Sequence, residues 1–376
     1  MTTRVIVAGL GAMGSAAADH LARRGAHVVG FDLHAPPHAL GSSHGESRII
    51  RQAYFEHPQY VPLVQRAFEN WDALALDTGR VLLQRTGGVM IGAPDSTLVT
   101  GALRSAETWH LPHERIDAAE IKNRWPAYHP SAGTVGVWEP TSGVLDPEAC
   151  VAAHLERAAH AGAELHPDEP VLEWRANAAG VEVTTARGHH EADRLVLAAG
   201  AWMPRLVQGL DLPLAVVRQT LFWFAPREHA ERFEPANFPI WIWEHAAGRF
   251  FYGFPASRKG IKIAIHHEGT PTDPDHVKRD VGEDEVAKVR GLLERYLPDA
   301  NGELLDSAAC LYTNTPDEHF IVDQHPLHSQ VVLASACSGH GFKFASALGE
   351  VLADVALDGR SRFDLGLFRI ARYASG

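Results

Sequence analysis

Only three cysteines, Cys150, Cys310 and Cys337, occur in 376 residues, far apart and never in CxxC spacing. That scarcity argues against a disulfide framework and against a structural zinc site. No apolar run reaches the roughly 18 residues that a bilayer span needs. The apolar N-terminus is broken by glycines rather than shaped as a leader. These absences give the expectation of a soluble, cytoplasmic protein with no membrane partner. Positive charge is short as well: 34 Lys and Arg stand against 46 Asp and Glu, a formal charge of −12. That balance speaks against a nucleic-acid partner. Neither HExxH nor a His/Cys quartet occurs among the 23 histidines, so no metal is expected. GxSxG is missing too, which argues against a serine hydrolase. Lysine is scarce, which draws attention to Lys343, set between two phenylalanines in "SACSGHGFKFASALGE". Taken alone, that stretch fits either a tight turn with a solvated lysine or an anion-binding loop.

What is present is ordinary globular material, 45% hydrophobic and 21% charged, in a length that suits two or three folding units. "RVIVAGLGAMGSAAADHLARRGAHVVGFD" reads as strand, turn, helix, turn, strand. Val5 to Ala8 suits a buried parallel strand, and Gly9, Gly11 and Gly14 form GxGxxG. Gly9 permits the tight turn, Gly11 lets backbone approach a pyrophosphate, and Gly14 lets helix and strand pack closely. The helix N-terminus offers N–H groups and partial positive charge to the phosphates. Asp32 closes the second strand, where it can accept hydrogen bonds from a ribose and would repel a 2′-phosphate. NAD and FAD both satisfy this unit, and Asp32 speaks against NADP.

Downstream, Val61, Val64, Phe68, Trp71 and Leu74 recur at helical spacing. "VLLQRTGGVMIGAP" reads as two strands around Gly87 and Gly88, and 95–125 as helical. A helix begins near Asp146 or Pro147. A hairpin then leads to a strand, Leu195 to Ala198, that runs into Ala199 and Gly200, a second place for backbone to approach a cofactor. Residues 215–270 are strand-like and rich in aromatics, as in an antiparallel sheet. Helices follow at 283–296 and from about Ala345 to Leu357.

Candidate chemistry is sparse. Arg48 and Arg51 in "ESRIIRQAY" share a face if the segment is helical; they form either a carboxylate clamp or a solvated basic face. Alternation puts Lys262 opposite Ile261 and Ile263 and beside Ala264 and His266, on an active-site wall or an outward face. Cys150 reads as helix core, and Cys310 and Cys337 as small buried residues whose reactivity needs an electropositive neighbour. The pairs His189–His190 and His266–His267 point to opposite faces if they lie in strands. Trp241, Trp243, Phe250 and Phe251 either line a pocket or fill a core.

Four stretches in order, "GSSHGESRIIRQAYFEHPQYVPL", "YGFPASRKGIKIAIH", "CLYTNTPDEHFIVDQHP" and "GHGFKFASALGE", make the chain resemble the monomeric sarcosine oxidase and N-methyltryptophan oxidase family, flavin-dependent amine oxidases. The likeness runs from Val5 to about Arg369. It implies an α/β fold: a Rossmann-like FAD-binding domain assembled from separated segments (1–85, 145–214 and 310–376). An α+β substrate domain with a largely antiparallel sheet (86–144 and 215–309) completes it. It implies FAD bound covalently through Cys310. The cofactor would be contacted by Gly9, Gly11, Ala12, Met13, Gly14, Asp32, Ser42, Arg48, Val171, Gly200, Trp202, Gly339, Gly341, Phe342 and Lys343. Arg51 and Lys343 would grip a substrate carboxylate, with Tyr252, Tyr312 and His266 lining the pocket. Lys262, with Arg48 and His266, would serve catalysis, Lys262 as the fixed charge beside which O2 is reduced.

The implied reaction converts an N-methyl amino acid, O2 and water to the primary amino acid, formaldehyde and H2O2 in a monomeric enzyme. Two departures bear on the pocket. The family's "SHHGDTR" is "SSHGESR" here, with Ser43 for a His, and a shorter turn puts Arg258 and Lys259 near the rim. A bulkier secondary amino acid, a dehydrogenase of the same fold with another electron acceptor, and a non-catalytic FAD or NAD module are the competing readings.

Overall fold

The computed structural model describes residues 2–207 and 209–373. Its first sheet has six strands, in the order Ile321–His325, His328–Ser335, Arg194–Leu197, Arg4–Ala8, His27–Phe31 and Glu164–His166. Every neighbouring pair is parallel except the first. The apolar run Val5–Ala8 is central and buried from both sides, as continuous hydrophobic strands of a parallel sheet must be. Helix Ala12–Arg23 links the first two strands of the chain and packs against Pro147–His160 and Ala345–Asp358. The last contact is close: a Cβ on Gly349 would lie 2.6 Å from that of Ala16. Three short strands, Val171–Asn177, Gly180–Thr185 and Gly188–Ala192, cover the opposite face. Their Val181 and Val183 share a core with Ile6, Phe31 and Leu195.

The aromatic-rich region builds a nine-stranded sheet. Leu304–Asn314, Ala215–Phe224, Gly260–His266, Arg249–Ser257 and Ile240–Ala246 pair antiparallel in that order. Ile240–Ala246 then pairs with Gly88–Gly92 in parallel, so the expected antiparallel sheet is mixed at that point. One face packs on helix Glu283–Tyr296 through Phe222, Trp241, Trp243, Phe251, Ile261 and Ile263. Three of the four aromatics whose role was open therefore fill a core, while Phe250 faces the other way and packs against Phe55, ring centres 5.4 Å apart. Because side chains alternate along a strand, Lys262, Ala264 and His266 face the opposite side, toward the first sheet.

Helices Val61–Thr78, Glu283–Tyr296 and Ala345–Asp358 lie where periodicity places them. The 95–125 pattern is interrupted. Helices Thr97–Thr108 and Ala118–Arg124 flank a strand, Glu114–Asp117, recruited by Val135–Glu139. "ESRIIRQ" is not helical either. Its β-branched Ile49 and Ile50 favour extension, and Arg48–Ile50 pairs with Gly143–Leu145.

Candidate active site

Where the six-stranded sheet meets the buried side of the larger one, a cavity of about 450 Å³ opens. It lies at the carboxyl ends of the parallel strands, where Gly9, Asp32, Ala198 and Ala336 stand. This is the position an open α/β sheet offers a ligand. Gly9 turns the chain at φ +93°, and a Cβ there would come within 2.6–2.8 Å of the backbone of Ala198 and Ala199. Gly11 begins helix Ala12–Arg23 with its open side free: a Cβ there would meet only Ser43 Oγ, at 3.7 Å. Gly14 does not line the cavity. A Cβ on it would lie 1.6 Å from the Gly9 carbonyl oxygen, so it serves packing. The Asp32 carboxylate accepts from the amides of Leu10 (2.6 Å) and His34 (3.0 Å) and so is fixed at the rim.

Ala12, Met13, Ser42, Val171, Gly200 and Trp202 all face the same cavity. So do Cys310, Gly339, Gly341, Phe342 and Lys343. The two glycines of the final loop carry a constraint the sequence reading missed. A Cβ on Gly339 (φ +74°) would sit 2.6 Å from the Tyr312 ring, and one on Gly341 would sit 1.8 Å from the Ala336 carbonyl. They let the loop fold onto its own walls. Arg258 and Lys259, expected at the rim, stay outside it; Lys259 pairs instead with Asp306 (3.2 Å) and Glu46 (3.6 Å).

Three buried hydroxyls on the wall, Ser42 Oγ, Thr313 Oγ1 and Ser335 Oγ, have no hydrogen-bond partner among the described residues. Buried polar groups are rarely left so. With the Gly11 opening, the helix N-terminus and Asp32, they suit a long, polar dinucleotide such as FAD. Cys310 Sγ lies among Arg48 Nη2 (3.7 Å), Ser42 O (3.8 Å) and Leu311 O (3.9 Å). The electropositive neighbour its reactivity needs is therefore Arg48.

Arg51 is 1% exposed. Its Nη2 donates to both oxygens of Glu56 at 2.7 Å, and its guanidinium lies 4.2 Å from the Tyr54 ring centre. Lys343 is buried too. Its Nζ donates to the His340 carbonyl (2.6 Å) and the Tyr54 hydroxyl (3.4 Å), 5.3 Å from the same ring. Burial, then the nearby Arg51, brings the Lys343 pKa down to about 7. Burial alone would raise the pKa of Glu56, but Arg51, with smaller help from His340 and Lys343, holds the carboxyl below its ordinary value. His340 Nε2 faces the Glu318 carbonyl (2.9 Å), which can only accept, so Nε2 carries a proton. Burial brings the His340 pKa to about 3; in the neutral ring Nδ1 accepts from the Tyr54 hydroxyl (2.6 Å). Tyr54, Glu56 and His340 were missed by the sequence reading. Their signal was adjacency to Arg51 and Lys343, visible only once the loops meet.

His266, Tyr252 and Tyr312 complete the wall; His266 Nδ1 and the Tyr312 hydroxyl are 3.3 Å apart. Burial, then His267, holds His266 well below the usual imidazole range. His266 and His267 do not point apart as expected. His267 follows the strand end at φ +57°, and the two rings meet at 4.0 Å. Lys262 is 2% exposed but lies behind the lining, its Nζ donating to the carbonyls of Gly45 (2.7 Å) and Ser47 (2.8 Å). Burial, then Arg48, presses its pKa well below the usual lysine value.

Comparison with known proteins supplies independent findings. Residues 4–355 match the family model described as FAD dependent oxidoreductase. A monomeric sarcosine oxidase of Streptomyces avermitilis is 46% identical, covering 100% of this chain and 98% of its own. An N-methyl-L-tryptophan oxidase of Yersinia pestis is 37% identical over 98% and 99%. Among solved structures, a Tyr258Phe mutant of NikD, an amino acid oxidase of nikkomycin biosynthesis, superposes with a TM-score of 0.85 at 23% identity, covering 98% and 97%. An L-proline dehydrogenase from P. horikoshii does so with 0.85 at 21%, covering 99% and 98%. The last two likenesses concern the fold.

Proposed function

The chain belongs to the FAD-dependent oxidoreductase family, and from that premise we propose the oxidative demethylation of a small N-methyl amino acid. At the coarser level the protein is a flavin-dependent amine oxidase acting on N-methyl amino acids. The finer reading gives the primary amino acid, formaldehyde and H2O2 from substrate, O2 and water. The observation that carries it is the pair of buried basic side chains, Arg51 and Lys343, that line the cavity within 4.2 and 5.3 Å of the centre of one tyrosine ring, Tyr54.

FAD, when bound, supplies the two-electron oxidation of the C–N bond and passes the electrons to O2. The chain's own work is binding, orientation and charge. Arg51 and Lys343 clamp the substrate carboxylate. Glu56 holds Arg51 until a ligand carboxylate replaces it. Proximity then fixes the amine against the reactive ring. Tyr252, His266, neutral at working pH, and Tyr312 shape the pocket around the N-methyl group. Lys262 supplies positive charge where O2 is reduced, and Arg48 steadies the same region while flanking Cys310, the proposed site of covalent attachment. Gly9, Gly11, Asp32, Ser42 and the loops at Val171, Gly200 and Gly339 would hold the cofactor. We also place the division between cofactor and substrate domains at 85/86, 144/145, 214/215 and 309/310, and read the protein as a cytoplasmic monomer. Among the described residues no helix is long and apolar enough to cross a membrane.

A panel of N-methyl amino acids with peroxide detection tests the reading. Sarcosine should give peroxide and formaldehyde in equal amounts. Peroxide without formaldehyde from every N-methyl substrate, or substrate-dependent flavin reduction with no peroxide, would overturn it.

A further inference from the structure

Lys262 does not reach the cavity wall, so something must fix where its charge sits. Its Nζ is held by two carbonyls, Gly45 O and Ser47 O, and Ser47 O also accepts from Arg48 Nη1 at 2.8 Å. Those carbonyls belong to a turn whose two consecutive residues, Gly45 (φ +96°) and Glu46 (φ +64°), are left-handed. For a glutamate that conformation is unfavourable and persists only when its surroundings impose it. The group that imposes it is remote in sequence. Glu148, in the first turn of helix Pro147–His160, accepts from the Gly45 amide at 2.7 Å and from the Glu46 amide at 3.2 and 3.3 Å.

We propose that Glu148 is a positioning residue for oxygen reduction: by gripping both amides of the 45–46 turn it sets the two carbonyls that hold the Lys262 ammonium. The proposal rests on the reading of Lys262 as the charge beside which O2 reacts.

The electrostatics point the same way. Burial and Arg48 favour neutral Lys262; the carboxylates of Glu148 and Glu46 oppose them. Lys259 lies over the same Trp223 ring, 5.4 Å from its centre against 5.6 Å for Lys262. It draws Glu46 toward itself, leaving Glu148 as the carboxylate anchored on the turn. The packing leaves no slack: a Cβ on Gly45 would come within 2.9 Å of Leu221 Cδ1 and 3.4 Å of Lys262 Nζ.

The test uses the flavin-loaded enzyme and Glu148→Gln, with Glu148→Asp as the variant that keeps charge but withdraws it from the turn. Anaerobic reduction by sarcosine and reoxidation by dissolved O2 are followed separately. The pH dependence of reoxidation is measured as well. Glu148→Gln should slow reoxidation at least about 10-fold and leave reduction within about twofold. It should also make reoxidation fall at lower pH than in the parent, because more of the amine is neutral. Glu148→Asp should fall between; if Glu148→Gln does not fold, it carries the same comparison. Reoxidation and its pH profile both unchanged, or reduction and reoxidation falling together, would overturn the proposal. Lys262→Met separates the two readings. If it reoxidises at the parent rate, the oxygen role of Lys262 and the proposal on it both fail. If it slows while the Glu148 variants do not, only the role of Glu148 fails.

Discussion

Arg51 and Lys343 are two buried basic side chains, of which Arg51 is paired with the Glu56 carboxylate; in the proposed function they clamp a substrate carboxylate. Lys343 titrates near pH 7 in the folded protein, below its ordinary value of 10.5. Its charged form costs stability, so between about 7 and 10.5 stability rises with pH, and the gain is lost as pH falls through 7. Ligand binding runs the other way. A carboxylate favours the ammonium, so above pH 7 binding takes up a proton. The affinity of propionate, read by flavin spectral titration, should weaken above pH 7 by up to about tenfold per unit. Lys343→Met should bind more weakly and lose that slope. The substrate amine must lose its proton to react, so turnover at saturation should instead rise with pH. Glu56→Gln removes the competitor. Propionate should then bind more tightly, while denaturant unfolding shows a loss of about 3 kcal/mol from leaving Arg51 buried and unpaired.

At the scale of elements, the N-terminal unit is held by small residues where helices meet. Gly349 on Ala345–Asp358 touches the backbone and side chain of Ala16 on Ala12–Arg23. Gly349→Ala should improve helix propensity by about 1 kcal/mol yet destabilise by about 1–3 kcal/mol through overpacking. The net loss should appear as a lower midpoint in denaturant. The GxGxxG unit and the long helices were legible because each is a local pattern: one period, one turn, one strand end. The strands Glu114–Asp117 and Arg48–Ile50 were not legible. Their pairing partners, Val135–Glu139 and Gly143–Leu145, lie elsewhere in the chain, and each strand is too short to stand out without them.

At the scale of the whole molecule, cofactor and fold are linked: a ligand that binds only the native state stabilises it by mass action. If FAD is attached through Cys310, the parent protein should keep its colour in acid precipitate and melt independently of added FAD. Cys310→Ala should lose colour in acid, and its Tm should climb with free FAD. A parent protein already colourless in acid would place the attachment reading in error. The amino-acid sequence by itself determined the dinucleotide unit and, through resemblance, the family and chemistry, because those depend on ordered local motifs that survive as strings. Only the tertiary structure decided that Lys262 and Lys343 are buried rather than solvated. It alone paired Arg51 with Glu56, set Arg48 against Cys310, and brought Glu148 to the turn that holds Lys262. These are meetings of side chains far apart in the chain. Their burial and charge are set by what packs around them, which no spacing in the sequence records.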